Sequence, residues 1–177
     1  MDDYKKYKTI KQITYDPKNH AVYFASDYGL GVFNNIYKTK DDVKYLKETN
    51  NSMFVIKHFS LCNQDNHLAI ALSSGVVFLS DRINQLEFNS LKYKEKEDFF
   101  KNRSYHVFYD KSGSLWFSNI NGLFEFNKGV LIHHYKNNPL LTKRINDIQQ
   151  LADGTLVLAT DGYGILFYRN NKIVKQL

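Results

Sequence analysis

At 177 residues, 43% hydrophobic and 15% aromatic, the chain is long enough for one domain with a sizeable core, and its 13 Tyr and 13 Phe favour pleated sheet over helix. Its 24 Lys and Arg against 18 Asp and Glu give a formal charge of +6, but the cations are scattered among the acids, which points to a solvated, lysine-rich surface and away from a nucleic-acid footprint. The single cysteine, Cys62, excludes a disulfide framework and a thiolate metal cluster; Met1-Asp2-Asp3-Tyr4-Lys5-Lys6 lacks a secretory leader's apolar core, and no stretch reaches the roughly 18 apolar residues of a membrane helix.

The first element is a strand over 11–15, turned by Asp16-Pro17-Lys18-Asn19 into a second over 21–25; the loop Ser26-Asp27-Tyr28-Gly29 leads to a third over 30–33. Residues 38–51, rich in Lys, Glu, Asp and Asn, read as a long connection with a short helix around Val43 and Leu46. The same order of strand, polar turn, strand, glycine turn, strand returns at 54–61, 68–72 and 76–79, joined by Gln64-Asp65-Asn66 and Ser73-Ser74-Gly75. A second charged connection, 81–103, carries a short helix over 95–102. The clearest copy follows: strand 105–109, turn Asp110-Lys111-Ser112-Gly113, strand 114–118, Asn119-Ile120-Asn121-Gly122, strand 123–126 and an outer strand over 131–135. The last copy runs 145–151, Ala152-Asp153-Gly154, 155–159, a loop over 160–164 and 165–168.

The repeat glycines stand at 29, 75, 122 and 164, so their spacings are 46, 47 and 42. That is the length of one four-stranded propeller blade. The fold class is therefore all-β: about four β-propeller blades of antiparallel four-stranded sheet, forming a single segment with blades at 8–37, 52–80, 104–136 and 144–177 and insertions at 38–51 and 81–103. Four blades lie at the lower limit of closed propellers, and an open ring exposes strand edges. The expectation is a segment of a larger propeller, completed by remaining blades or by a partner chain.

Asp110, Gly113, Leu115, Trp116, Gly122, Leu123 and Phe126 fall where a blade of the two-component regulator propeller family carries its Asp, Gly, Leu-Trp, Gly-Leu and aromatic positions. The stretch His134-Tyr135-Lys136-Asn137-Asn138-Pro139-Leu140-Leu141 resembles that family's connection between blades. The chain thus resembles the periplasmic sensor region of hybrid histidine kinases of the Bacteroidetes type, strongly from Ser104 onward and loosely before it. Departures are the small pairs Ala25-Ser26, Ala71-Leu72, Ser118-Asn119 and Ala159-Thr160 in place of Gly-Thr, and Tyr23, Ala69 and Val157 in place of Trp. The resemblance implies a periplasmic, non-enzymatic ligand-sensing segment of a two-component system that recognises carbohydrate. It implies no cofactor, no nucleic-acid partner and no membrane contact by this segment.

Histidines and acids offer little catalytic promise. His20 and His67 occupy nearly the place of Ser114 and Thr155, a turn flank; His58 and His106 fall on first strands, with core or channel-facing roles; and His133 and His134, adjacent on a strand, face opposite sides. Asp41-Asp42 and the trio Glu95, Glu97 and Asp98 sit in the charged connections. Because strands alternate direction, the loops between second and third strands share one rim, which places Asp27, Tyr28, Ser73, Asn119, Asn121, Asp161 and Tyr163 together as candidate ligand-binding residues. Polar groups mixed with aromatics suit a sugar or a peptide, although Asp and Asn also serve simply to make turns. The alternative function is an interaction propeller that docks a partner protein; an enzyme of the propeller lyase or hydrolase type would need convergent His or acid groups that this spacing does not supply.

Overall fold

Four times an apolar strand meets a tight polar turn and folds back, and each time an antiparallel meander results. In the computed structural model, which describes residues 9–26, 29–34, 43–46, 55–79 and 101–177, the first sheet is β1 (Ile10–Asp16), β2 (Ala21–Ser26), β3 (Gly29–Asn34) and β4 (Val43–Leu46). The second is β5 (Ile56–Leu61), β6 (Leu68–Leu72) and β7 (Gly75–Leu79). The third is β8 (Ser104–Tyr109), β9 (Leu115–Asn119), β10 (Gly122–Asn127) and β11 (Val130–His133). The fourth is β12 (Ile145–Gln150), β13 (Leu156–Thr160), β14 (Gly164–Arg169) and β15 (Lys172–Gln176).

The helix expected around Val43 and Leu46 is instead β4, which pairs antiparallel with β3 from Phe33↔Val43 to Leu30↔Leu46. The β-branched and aromatic content of Val43-Lys44-Tyr45-Leu46 suits a strand, and pairing with β3 satisfies the backbone of an edge that a helix would leave open. The outer strand expected over 131–135 is β11 and stops at His133; His134–Lys136 form a 3₁₀ turn, followed by a second at Pro139–Thr142. The helix expected over 95–102 lies, apart from Lys101 and Asn102, outside the described residues.

Each turn between first and second strands is closed by a carboxylate. Asp110 Oδ1 accepts the N–H groups of Ser112 (2.8 Å) and Ser114 (2.9 Å), and its Oδ2 accepts the indole N–H of Trp116 at 2.9 Å. The Asp and Trp of the repeat motif are thus one structural unit. Asp16 does the same for Lys18 and Asn19, and Asp153 for Thr155. One detail departs from the sequence reading. Register puts Asp16 opposite Ala21, which lengthens the first turn by a residue, so that His20 sits where Gly113 sits and takes the same positive φ, 49° against 83°. Gly122 has a different necessity: at φ 127° an added Cβ would run into the carbonyl of Leu141 and the Cβ of Tyr135.

The sheets stack face to face in chain order, with one apolar layer in each interface. Ala21, Tyr23, Ala25 and Leu30 of the first blade meet Ile56, Phe59, Leu68 and Ile70 of the second. Ala69, Ala71, Val76 and Phe78 meet Val107, Leu115, Phe117 and Phe124, and Trp116 and Leu123 meet Ile145, Ile148, Leu158 and Leu166. Residues of β6 and β9 are buried on both faces, as expected of strands enclosed between sheets, whereas β13 is fully buried only at alternate positions. A polar lock joins the last two blades. Tyr168 donates its hydroxyl to His134 Nδ1 at 2.7 Å, which leaves the His134 proton on Nε2 to bond Glu125 Oε2 at 3.1 Å, and the imidazole stacks on Trp116 with centroids 4.7 Å apart. Burial and the Glu125 carboxylate push Tyr168 up to about 12, so it remains a donor.

Repeat equivalence exposes the two outermost faces. Phe59, Val107 and Ile148 are 1%, 0% and 0% exposed, while Ile13, at the same position of the first blade, is 67% exposed. At the other end Leu123 is 0% exposed and its counterpart Ile165 is 40% exposed. Among the described residues no blade covers the front of the first sheet or the back of the fourth. Phe59→Ala is therefore expected to lower the unfolding free energy by about 3–5 kcal/mol, and Ile13→Ala by less than about 1 kcal/mol, in urea denaturation. Equal losses at the two positions would mean that the first face is covered in solution.

Candidate functional site

The first strands of successive blades are neighbours, and each carries the same irregularity. Pairing with the second strand skips one residue between Ile10 and Gln12, Ile56 and His58, Ser104 and His106, and Ile145 and Asp147. The bulged residues are Lys11, Lys57, Tyr105 and Asn146. A bulge re-aims its side chain out of the pleat and increases the local twist, which is why it recurs where side chains must converge.

The residue after each bulge reaches to the following blade. Gln12 Nε2 donates to Phe59 O at 2.8 Å while its Oε1 accepts the Phe59 N–H at 2.9 Å. His58 Nδ1 donates to Val107 O at 2.9 Å. His106 stacks on His58 with ring centroids 3.7 Å apart and an interplanar angle of 21°; its Nε2 lies 3.5 Å from Asp147 Oδ1 without forming a hydrogen bond. Burial holds His58 down to about 4, against a weaker opposing pull from Val107 O and Asp147, and burial together with His58 holds His106 down to about 3. Both rings are neutral at physiological pH and belong to the inter-blade contact, consistent with a core or channel-facing role.

Above this pair, on the face where the chain enters each first strand, a cavity of about 500 Å³ is lined by Lys57, Arg103, Tyr105, Arg144, Asn146 and Asp161. Three of these are bulge residues. Arg103 and Arg144 precede β8 and β12, and their guanidinium carbons lie over the Tyr105 ring at 5.7 and 4.5 Å from its centroid. Asp161 comes from the β13–β14 loop, held against the strand entry by its N–H donating to Arg144 O at 2.8 Å; Ser73 N–H to Val55 O, at 3.1 Å, is the same contact in the second blade. Among the described residues the lining carries three cations and one carboxylate. Among the described residues no three His, Cys, Asp or Glu side chains gather in a way that would hold a metal ion.

Of the expected rim residues, Asp161 lines the cavity. Asn119 is fully buried and its Oδ1 accepts the Asn121 N–H at 2.8 Å, which makes it a turn former. Ser73, Asn121 and Tyr163 are half-buried at the same end of their blades; the Tyr163 N–H donates to Thr160 Oγ1, and Lys143 Nζ lies over the Tyr163 ring at 5.6 Å. Asp27 and Tyr28 lie outside the described residues. Lys57, Arg103, Tyr105, Arg144 and Asn146 were not anticipated. Their signal is nevertheless present: Ile10-Lys11-Gln12-Ile13, Ile56-Lys57-His58-Phe59 and Ile145-Asn146-Asp147-Ile148 each put two polar residues between apolar ones, a spacing that breaks period-two alternation and marks a bulge.

No protein-family model matches this sequence, and no curated protein matches it. Among solved structures, the extracellular domain of a hybrid two-component system of Bacteroides thetaiotaomicron aligns with 97% of this chain and 25% of its own at 14% identity and a TM-score of 0.71. A second such domain from the same organism aligns with 95% of this chain and 21% of its own at 14% identity and a TM-score of 0.69. An inactive variant of virginiamycin B lyase from Staphylococcus aureus, with quinupristin, aligns with 94% of this chain and 54% of its own at 15% identity and a TM-score of 0.65. The chain thus has the fold of propeller blades, spans a quarter or less of the two Bacteroides domains, and its sequence resemblance to such sensor regions recurs in the fold.

The neutral histidine pair yields a pH dependence. Both folded-state values lie below the ordinary 6.5, so the unfolded chain binds more protons between pH 6.5 and about 4. The stabilisation is complete above pH 6.5 and is lost as pH falls, with a slope that approaches two protons' worth, roughly 3 kcal/mol per pH unit. Unfolding free energies at pH 7, 6 and 5 are expected to fall in that order, and the double variant His58→Gln/His106→Gln to flatten the profile.

Proposed function

We propose that this chain is a ligand-binding segment of a two-component sensor's extracellular or periplasmic propeller, and that it binds a saccharide at the mouth cavity. The observation that carries this reading is the cavity itself: six polar or aromatic side chains from three blades converge on one open concavity at the end of the inner strands. The fold likeness to extracellular domains of two-component systems supports a sensing role. Hydrogen-bonding side chains of both polarities beside an aromatic ring are the groups that recognise a polyhydroxylated ring, with Asn146 and Asp161 positioned to take its hydroxyls.

Binding without catalysis is the reading that the chemistry supports. The hydrogen-bonded series from Tyr168 through His134 to Glu125 has the form of a proton relay, but His134 is buried between two sheets and stacked on Trp116, away from the cavity lining. Among the described residues the charged groups at the mouth are three cations and a single acid, a set that favours binding over the acid–base pair of a lyase or hydrolase. No helix among the described residues is long and apolar enough to cross a membrane. A second reading, an interaction propeller docking a partner through a sheet face, is favoured by the exposed Ile165, Val174 and Leu177 at the end of the fourth blade.

Calorimetric titration with a panel of oligosaccharides separates the two readings. Saccharide binding is expected, weakened about tenfold or more by Asp161→Ala, the loss of a charge-assisted hydrogen bond, with no change in melting temperature. Saccharide affinity unaffected by Asp161→Ala and Asn146→Ala would move the site elsewhere, and no saccharide binding at all would leave the docking reading.

A further inference from the structure

We infer that the mouth cavity selects an anionic group, the carboxylate or sulfate of an acidic saccharide, with Arg103 and Arg144 as its direct contacts and Tyr105 as the residue that positions them. This rests on the proposed ligand-binding role and specifies the ligand's charge. The chain is lysine-rich: 20 of its 24 basic residues are Lys and only four are Arg, at 82, 103, 144 and 169. Two of those four line one cavity. A solvated surface needs only ammonium groups, whereas a planar guanidinium presents a fork of N–H donors that matches a carboxylate or sulfate edge to edge. Arg therefore stands where geometry is read.

Their placement is built by the fold. Arg103 and Arg144 occupy the same repeat position in adjacent blades, the residue before the inner strand, and Tyr105 is the bulge residue of β8, the strand that Arg103 leads into. Both guanidiniums lie over its ring, which limits the rotamers open to two long side chains and lowers the entropy lost when they engage a ligand. Among the described residues no carboxylate lies within ion-pair distance of either guanidinium, although Arg169, elsewhere on the chain, holds Asp153 at 3.0 Å. Among the described residues Asp161 is the one acid of the lining, which also includes Lys57. The two guanidiniums thus place positive charge in a concave space, where field lines are focused and an anion is drawn in.

Asp161 beside Arg144 argues against a purely electrostatic anion trap. A carboxylate there repels a bare inorganic anion but accepts hydroxyl groups, so the combination fits a ligand that bears both a charge and hydroxyls.

The test is calorimetry on the full chain with three probes at fixed ionic strength: tri-galacturonate, its methyl ester, which keeps the skeleton and removes the charge, and inorganic sulfate. Tri-galacturonate is expected to bind at least tenfold more tightly than the ester. Arg103→Gln and Arg144→Gln are each expected to weaken it about tenfold and to weaken ester binding far less. Tyr105→Phe should retain the affinity and Tyr105→Leu lose it, all with unchanged melting temperatures. Raising salt from 50 to 300 mM should weaken tri-galacturonate binding several-fold. Equal affinity for acid and ester overturns this inference while leaving the saccharide reading intact. Sulfate binding as tight as tri-galacturonate, and equally dependent on both arginines, supports the anion site but assigns it to a small free anion, which overturns the saccharide reading. An absence of arginine-dependent binding by both tri-galacturonate and sulfate overturns the inference.

Discussion

The inner strand of a blade pairs with its own sheet on one side only; the edge turned toward the axis needs partners from elsewhere. Here Gln12 and His58 supply them, each reaching from the position after a bulge to the fourth residue of the next blade's inner strand, with His106 stacked in series. These contacts fix the register of one blade against the next, which apolar layers alone do not do, because an apolar face slides at little cost compared with a satisfied backbone group. The same bulge, in the second, third and fourth blades, throws Lys57, Tyr105 and Asn146 toward the mouth. A single backbone irregularity therefore serves both stability and recognition. The requirement for neutral imidazoles at the axis follows too, since a protonated His58 and His106 could not stack at 3.7 Å in a buried space.

Much of the architecture was legible in the sequence because the constraints that produce it are local. Strand, turn and glycine recur at nearly constant spacing, and the turn carboxylates bond N–H groups two to four residues away, as at Asp110. The strand Val43–Leu46 was less legible: a short outer strand borrows its stability from β3, and the strand preference of Val43 and Tyr45 over only four residues is too weak to decide against a helical turn. His134 illustrates the same limit. Its neighbour His133 ends β11, but whether the chain continues as strand depends on a buried bond to Tyr168, 34 residues on.

The shared rim of loops and strand entries was legible in the sequence; the residues that line the cavity there were not. Strand alternation correctly places the loops between second and third strands at one end with the strand entries, as the Asp161–Arg144 and Ser73–Val55 backbone bonds demonstrate. Attention to loops, where turn-forming Asp and Asn gather, nonetheless overlooked the strand residues at the mouth. Asn119 is conspicuous in sequence and buried as a turn former, whereas Lys57 and Tyr105 look like ordinary strand residues until the bulge turns them outward. The break in alternation around them is visible only when the four inner strands are set beside one another.

Asp147 stands at the end of the series begun by Gln12, His58 and His106, and it faces the uncovered side of the fourth blade with half its side chain in water. The earlier members of the series can donate a hydrogen bond; a carboxylate can only accept one. A sheet laid against this face must therefore offer a backbone N–H at one defined point, or else strand a buried charge at a penalty of several kcal/mol. An apolar face marked in this way discriminates between a correctly registered blade and any chance apolar surface. It gives the outer face of the fourth blade a polar mark that a chance apolar surface does not match, which guards that face against indiscriminate aggregation.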